Sequence, residues 1–202
     1  PISNATGRIR MKIGCRYGSP RKKGNSAAVA RHFLDRAVEG GADVRSFYLN
    51  ELGPRGCQGC NVCKQSRETC VLQDGLTDVL EAVYEADLVV MASPVYYGDV
   101  SAQLKAFIDR TYSYLKPDYI FLKNPSRLPQ PKQLVFILTQ GHRNPDWFAD
   151  IVPRYSNLFR WTGFAETYPL RVIDVYHEGD VLNRADILSE ASELAATLVG
   201  KS

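Results

Sequence analysis

The chain is short of several things. Its 202 residues contain no apolar run long enough to span a bilayer, and its first ten, PISNATGRIR, lack the apolar centre of a signal peptide. A cytoplasmic protein with no membrane partner is the expectation. Net charge is only +3, with 25 basic residues spread along the chain against 22 acidic ones, so no basic patch points to nucleic acid. Internal repeats and low-complexity tracts are missing. So are the two common nucleotide fingerprints. Five residues separate Gly18 from Gly24 and Asn25 stands where a Walker A lysine belongs; nor does the loop read GxGxxG. Ser3-Asn4-Ala5 reads as the remnant of a removed tag, so residues 1–10 are set apart from the domain expected over 11–202.

What is present is a core and an alternation. Apolar residues make up 45% of the chain, enough for one domain of ordinary size. Met11 opens a short strand that breaks at Gly18, and a helix follows from near Asn25, with Val29, Ala30, Phe33, Leu34, Ala37 and Val38 on one stripe, stopped by Gly40-Gly41. Residues 42–49 alternate as a second strand and break at Gly53-Pro54. A helix is expected over 76–83, with Asp74 as its cap. Asp87 to Ala92 and Gln133 to Leu138 are continuous apolar runs, as in strands covered on both faces. Helical spacing recurs over 100–110, over 146–161 with Trp147, Ile151, Tyr155 and Leu158 inward, and over 182–199; residues 167–175 give a fifth strand. Such alternation argues for an α/β doubly wound, five-stranded parallel sheet, flavodoxin-like in its order 2-1-3-4-5. In that order three loops, 18–26, 93–99 and 139–144, meet outside the carboxyl ends of the strands, where such sheets bind ligands.

The first loop suits a monophosphate: Ser19, Asn25 and Ser26, backbone N–H groups at a helix start, and the cations Arg21 and Lys23. A plain polar turn with a capping Asn is the alternative. The second, SPVYYGDV, places Pro94, Tyr96, Tyr97 and Gly98 at a strand end, where aromatics can meet a flat ring and glycine admits close approach. Together they suit FMN. Four of the five cysteines, Cys57, Cys60, Cys63 and Cys70, form C-x2-C-x2-C-x6-C inside a cysteine-rich insertion at 53–73. Three thiolates two residues apart wrap one small object and the fourth closes the site, which fits an iron-sulfur cubane; free thiols and zinc are the other readings.

GSPRKKGNS, the four-cysteine segment and SPVYYGDVSAQLKAFIDR together resemble the NAD(P)H-dependent FMN reductase-like flavoproteins of the flavodoxin-like fold, most of all the iron-sulfur flavoproteins. The likeness spans Met11 to Arg110 and continues in outline. It implies FMN phosphate on Ser19, Arg21, Asn25 and Ser26, and ring and ribityl contacts from Pro94, Val95, Tyr96, Tyr97 and Gly98, with Thr139, Gln140 and Gly141 opposite. It also implies a [4Fe-4S] cluster on the four cysteines, dimers or tetramers, and an oxidoreductase drawing electrons from NAD(P)H or a ferredoxin-type donor with flavin-borne chemistry and no catalytic side chain. The sequence departs from the pattern at Asp74-Gly75, where an acidic pair is usual, and His142 matches no assigned position. A non-enzymatic redox carrier or sensor is the rival. A remoter one is a low-molecular-weight phosphatase, since Cys15 and Arg21 give C-x5-R; yet Lys22 follows where Ser or Thr is needed, and no Asp-Pro occurs. His32 and His177 read as ordinary surface residues.

Overall fold

The computed structural model describes residues 10–129 and 131–200, so the expected leader lies almost wholly outside the described residues. Six strands form: β1 (Lys12–Tyr17), β2 (Asp43–Tyr48), β3 (Leu88–Tyr96), β4 (Asp99–Val100), β5 (Lys132–Thr139) and β6 (Phe164–Val172). Five of them run parallel in the order β2-β1-β3-β5-β6, and the two-residue β4 folds back antiparallel on β3. The order is the flavodoxin-like one expected, with a small ribbon added at the end of its third strand.

Among the described residues six α-helices form, α1 (Asn25–Glu39), α2 (Val62–Gln65), α3 (Leu76–Glu85), α4 (Ala102–Arg110), α5 (Ile151–Thr162) and α6 (Ala185–Val199), and all but the four-residue α2 cover the sheet. On one face Val29, Ala30, Phe33 and Ala37 of α1 pack with Ala191, Ala195 and Leu198 of α6 over Ile13, Val90 and Val135. On the other, α3, α4 and α5 bury Val79, Val83, Leu104, Phe107, Ile151, Tyr155 and Phe159 against Val89, Met91, Leu134 and Phe136. Central-strand residues of β3 and β5 are fully buried because both faces are covered, which is why they read as unbroken apolar runs. None of the helices among the described residues is long and apolar enough to cross a membrane.

Three expectations are corrected. Val38 is 54% exposed and does not belong to the inner stripe of α1. The helix expected from 146 starts at Ile151, because Phe148 takes a left-handed φ of 63° that no helix accommodates; Trp147 and Leu158 stay half exposed, and Phe159 fills the inward position instead. The fifth parallel strand runs three residues earlier, 164–172 rather than 167–175.

A charge lies buried against the second core. The Arg16 side chain is fully buried, donating from Nη1 to the Gly14 carbonyl (2.7 Å) and from Nη2 to the Val79 carbonyl (2.9 Å). Phe47 and Phe107 flank its guanidinium, each ring centre 5.5 Å away. Burial pushes its pKa down to about 10, only partly offset by its neighbours Tyr114 and Cys15.

Candidate functional site

At the carboxyl ends of β1, β3 and β5 a cavity of about 860 Å³ opens, a size that suits a ligand of cofactor dimensions. The β1–α1 turn contributes Ser19, Arg21, Gly24, Asn25 and Ser26. Helix α1 begins there without a side-chain cap and with no acidic residue in its first turn, so its positive end faces the cavity unneutralised. Ser19 is buried and its Oγ accepts the Arg21 N–H at 3.0 Å, which tightens the turn. Lys23 is exposed and is not among the cavity walls; neither is Lys22, whose ammonium pairs with Glu51 at 2.5 Å and lies over the Tyr48 ring.

The second wall is the β3–β4 hairpin, Pro94 to Gly98. Val95 pairs with Val100 and Tyr96 with Asp99, leaving Tyr97-Gly98 as a two-residue turn with φ of 50° and 84°. Positive φ at both positions is the type I′ geometry; glycine adopts it freely and tyrosine at a cost of roughly 1–3 kcal/mol, strain of the kind held at binding sites. The Tyr97 ring projects fully into solvent at the rim. Asp99 anchors the hairpin: its Oδ2 accepts from Arg154 Nη1 (2.9 Å), and its Oδ1 from the Tyr155 hydroxyl (2.9 Å) and the Val100 N–H (2.7 Å). Burial pushes the Asp99 pKa up, but the bonds from Arg154, Val100 and Tyr155 outweigh it and hold the carboxyl below its ordinary 3.8.

Ser101, the cap of α4, ties the two walls together. Its Oγ donates to the Gly18 carbonyl at 2.6 Å, its N–H donates to Ser93 Oγ at 2.9 Å, and Gly18 N–H reaches the Ala92 carbonyl at 2.8 Å. Gly18 is required by space: a Cβ there would stand 2.8 Å from Leu104 Cβ and 3.0 Å from Ser101 Oγ.

The third wall, Thr139 to His142, is shaped from behind by Arg171, which donates to the Gln140 side-chain carbonyl (2.8 Å) and to the backbone carbonyls of Pro145 and Trp147. Gln140 Nε2 donates to the His142 carbonyl at 2.8 Å, so its carboxamide braces the loop. His142, unassigned from sequence, lines the cavity with its ring stacked 4.0 Å from Trp147.

A fourth wall was not foreseen: Val175, Tyr176, His177 and Glu178, after β6, together with Phe148. His177 is therefore a cavity residue, not an ordinary surface one. Asn25 fastens this segment. Its Nδ2 donates to the His177 carbonyl (2.8 Å) and, at 3.4 Å, to that of Val175, and its Oδ1 accepts the Val181 N–H at 3.2 Å. The side chain expected on a phosphate is engaged with backbone instead. The legible signal was only positional, since residues that follow the fifth strand of such a sheet return toward its ligand edge.

Some distance away, Cys57, Cys60, Cys63 and Cys70 all line one recess of about 20 Å³, with Arg110, Tyr112 and Ser113 among the other residues of its wall. Gly59 and Asn61, both at positive φ, turn the chain between the cysteines, and Gly59 N–H donates to Cys57 Sγ at 3.4 Å. All four thiols are free. Among the described residues no three Cys, His, Asp or Glu side chains are drawn to metal-binding spacing. The donor set is nonetheless purely thiol, with N–H donors directed at sulfur, which fits a thiolate-bound centre better than a hard cation. Cys15 stands apart, fully buried in β1, where desolvation pushes its pKa up to about 12 despite Arg16 and a bond with Tyr17. A thiol so buried is no nucleophile at neutral pH, and the phosphatase reading falls.

The family model described as NADPH-dependent FMN reductase matches residues 11–144. An iron-sulfur flavoprotein of Methanocaldococcus jannaschii is 38% identical over 101 residues, 50% of this chain and 52% of that one. The chain spans about half the length of this and other iron-sulfur flavoproteins that it matches. Among solved structures, an NAD(P)H:quinone oxidoreductase from Methanothermobacter marburgensis superposes with a TM-score of 0.74 at 20% identity, covering 94% of this chain and 97% of that one. An FMN-dependent NADH-azoreductase from Bacillus anthracis, solved in complex with FMN, gives 0.70 at 17%, covering 94% and 99%. At such identities these two speak for the fold.

Proposed function

Because the chain belongs to the NADPH-dependent FMN reductase family, we propose that it is an FMN-dependent oxidoreductase that takes electrons from NAD(P)H and passes them to an acceptor. The observation that carries this reading is the single cavity in which an uncapped helix start and a strained aromatic hairpin face each other across the strand ends. Ser19, Arg21, Ser26 and the first N–H groups of α1 would hold the phosphate, while Asn25 fixes the wall beside it. Pro94, Val95, Tyr96, Tyr97 and Gly98 would line one edge of the ring, and Thr139, Gln140 and Gly141 the other. Bound flavin supplies hydride acceptance and one-electron release, so the chain needs no acid or base of its own. Its residues bind, orient and partly shield.

Cys57, Cys60, Cys63 and Cys70 would hold a [4Fe-4S] cluster, a reading supported by their compact spacing along the chain, their common recess and the names of relatives that this chain matches over about half their length. Protein purified without oxygen should be yellow-brown, release FMN on denaturation and contain iron and sulfide. It should oxidise NADH or NADPH steadily with an artificial acceptor. Colourless protein with no affinity for FMN would sink the proposal, and bound FMN without nicotinamide turnover would favour a carrier fed by a ferredoxin-type donor.

A further inference from the structure

We propose that Arg110 is the positioning residue that gathers the cysteine segment, and that its buried charge sets the potential of what the thiols hold; the second half rests on the cluster reading above. Between Gly53 and Leu76 the chain has little structure of its own beyond the four-residue α2. A segment so poor in internal hydrogen bonds is shaped by what grips it from outside.

Arg110, the last residue of α4, grips both its ends. Nη1 donates to the Arg55 carbonyl (3.2 Å) and to Asp74 Oδ2 (2.9 Å), and Nη2 donates to the Leu72 carbonyl (3.0 Å). One planar fork thus brings residues 55, 72 and 74 together and closes the cysteine stretch into a loop. Asp74 is itself fixed, its Oδ1 accepting the Leu76 N–H at 3.0 Å as α3 begins. The middle of the loop is held by two more cations: its own Lys64 donates from Nζ to the Tyr112 and Leu115 carbonyls (2.6 and 2.8 Å) and lies 3.6 Å from Cys63 Sγ, and Arg127 Nη2 donates to the Cys63 carbonyl (3.1 Å).

Arg110 differs from those two in burial. Its side chain is 0% exposed, its Nε has no partner, and it forms a wall of both the cysteine recess and a 260 Å³ cavity behind Cys70. Among the described residues its carboxylate partner is the half-buried Asp74; Arg55 approaches the same oxygen at 3.6 Å, so positive charge is in excess around that carboxylate. A buried, under-neutralised cation is costly by itself and becomes favourable beside thiolates carrying net negative charge. Lysine cannot replace it, because an ammonium lacks the planar fork.

The test uses the whole chain with R110K, R110Q and D74N. In metal-free protein, amide exchange across residues 55–74 should quicken at least about tenfold in R110K and R110Q, from the loss of charge-assisted hydrogen bonds, with β1, β3 and FMN binding unchanged. On anaerobic reconstitution with ferrous iron and sulfide, occupancy at limiting iron should fall in both variants, by about 10- to 100-fold in affinity. The midpoint potential of the reconstituted centre should drop in R110Q and rise in D74N, opposite signs that loosened packing would not produce. If R110Q does not fold, R110K carries the exchange comparison and D74N alone the electrostatic one, a potential that stays or falls in D74N overturning it. Unchanged exchange in R110K overturns the gripping role, and potentials moving the same way in R110Q and D74N overturn the electrostatic one. If wild-type protein takes up no iron or sulfide, the cluster reading and the electrostatic half fall together, while exchange in the metal-free protein still decides whether Arg110 gathers the segment.

Discussion

Asn25 offers the sharpest test of the cavity's construction, because its sequence reading and its structural role predict different behaviour in the absence of flavin. Substituting alanine removes three contacts at once: two carbonyls, of His177 and Val175, lose a donor, and the Val181 N–H loses its acceptor. His177 is exposed and its carbonyl can turn to water, but Val181 is fully buried. An orphaned buried N–H costs about 1–3 kcal/mol, and a central figure of about 2 kcal/mol lowers the melting temperature of a chain this size by roughly 4–8 °C. N25D should also melt early, since it keeps the acceptor for Val181 but turns the donor into an oxygen facing two carbonyls. The assay is thermal melting of FMN-free protein beside FMN titration by fluorescence quenching. FMN affinity falls on either account, so the flavin-free melt decides. N25A melting together with wild type before flavin is added would refute the latch and return Asn25 to direct phosphate binding.

Other outcomes follow from the same geometry. G18A forces a Cβ to within 2.8 Å of Leu104 Cβ and should cost about 1–3 kcal/mol while weakening FMN binding, checked by denaturant melts and flavin titration. In native metal-free protein a thiol reagent at pH 8 should modify Cys57, Cys60, Cys63 and Cys70 but leave Cys15 for the denatured state, read by mass spectrometry; rapid native labelling of Cys15 would contradict its burial. Asp99 titrates below its ordinary 3.8, so its contribution to stability is complete above that value and lost as pH falls through the lower folded value; D99N should flatten the acid limb of the stability profile and loosen the hairpin, with a parallel limb as the disproving result.

Much of the fold was legible because both central strands are continuous apolar runs and most helices carry a clear inner stripe. Boundaries failed where a single backbone angle decides: nothing in the side-chain pattern of 146–150 announces that Phe148 adopts a positive φ, and its aromatic residues imitate a helical face. The first three walls of the cavity were legible because small, hydroxyl and aromatic residues cluster just after strands. The fourth was not, since Tyr176, His177 and Glu178 look like any polar loop and are placed by distant Asn25 and by Asp180, whose carboxylate accepts the N–H groups of Tyr176 and His177. The same holds for Arg16. A charged residue in an otherwise apolar strand reads as facing water, and only Phe47, Phe107 and two carbonyls explain why it does not.

Helix α4 relates the two sites. Its cap, Ser101, joins the phosphate turn to the end of β3, and its last residue, Arg110, closes the cysteine loop. Nine steps of 1.5 Å, about 13 Å in all, separate them, with Leu104 and Phe107 between fully buried against the sheet. A helix so packed does not slide or bend readily, so the spacing of cavity and recess is set by its length and not by the loops it anchors. The loops can therefore vary in sequence while both ends keep their places, provided serine and arginine remain at the two ends of the helix.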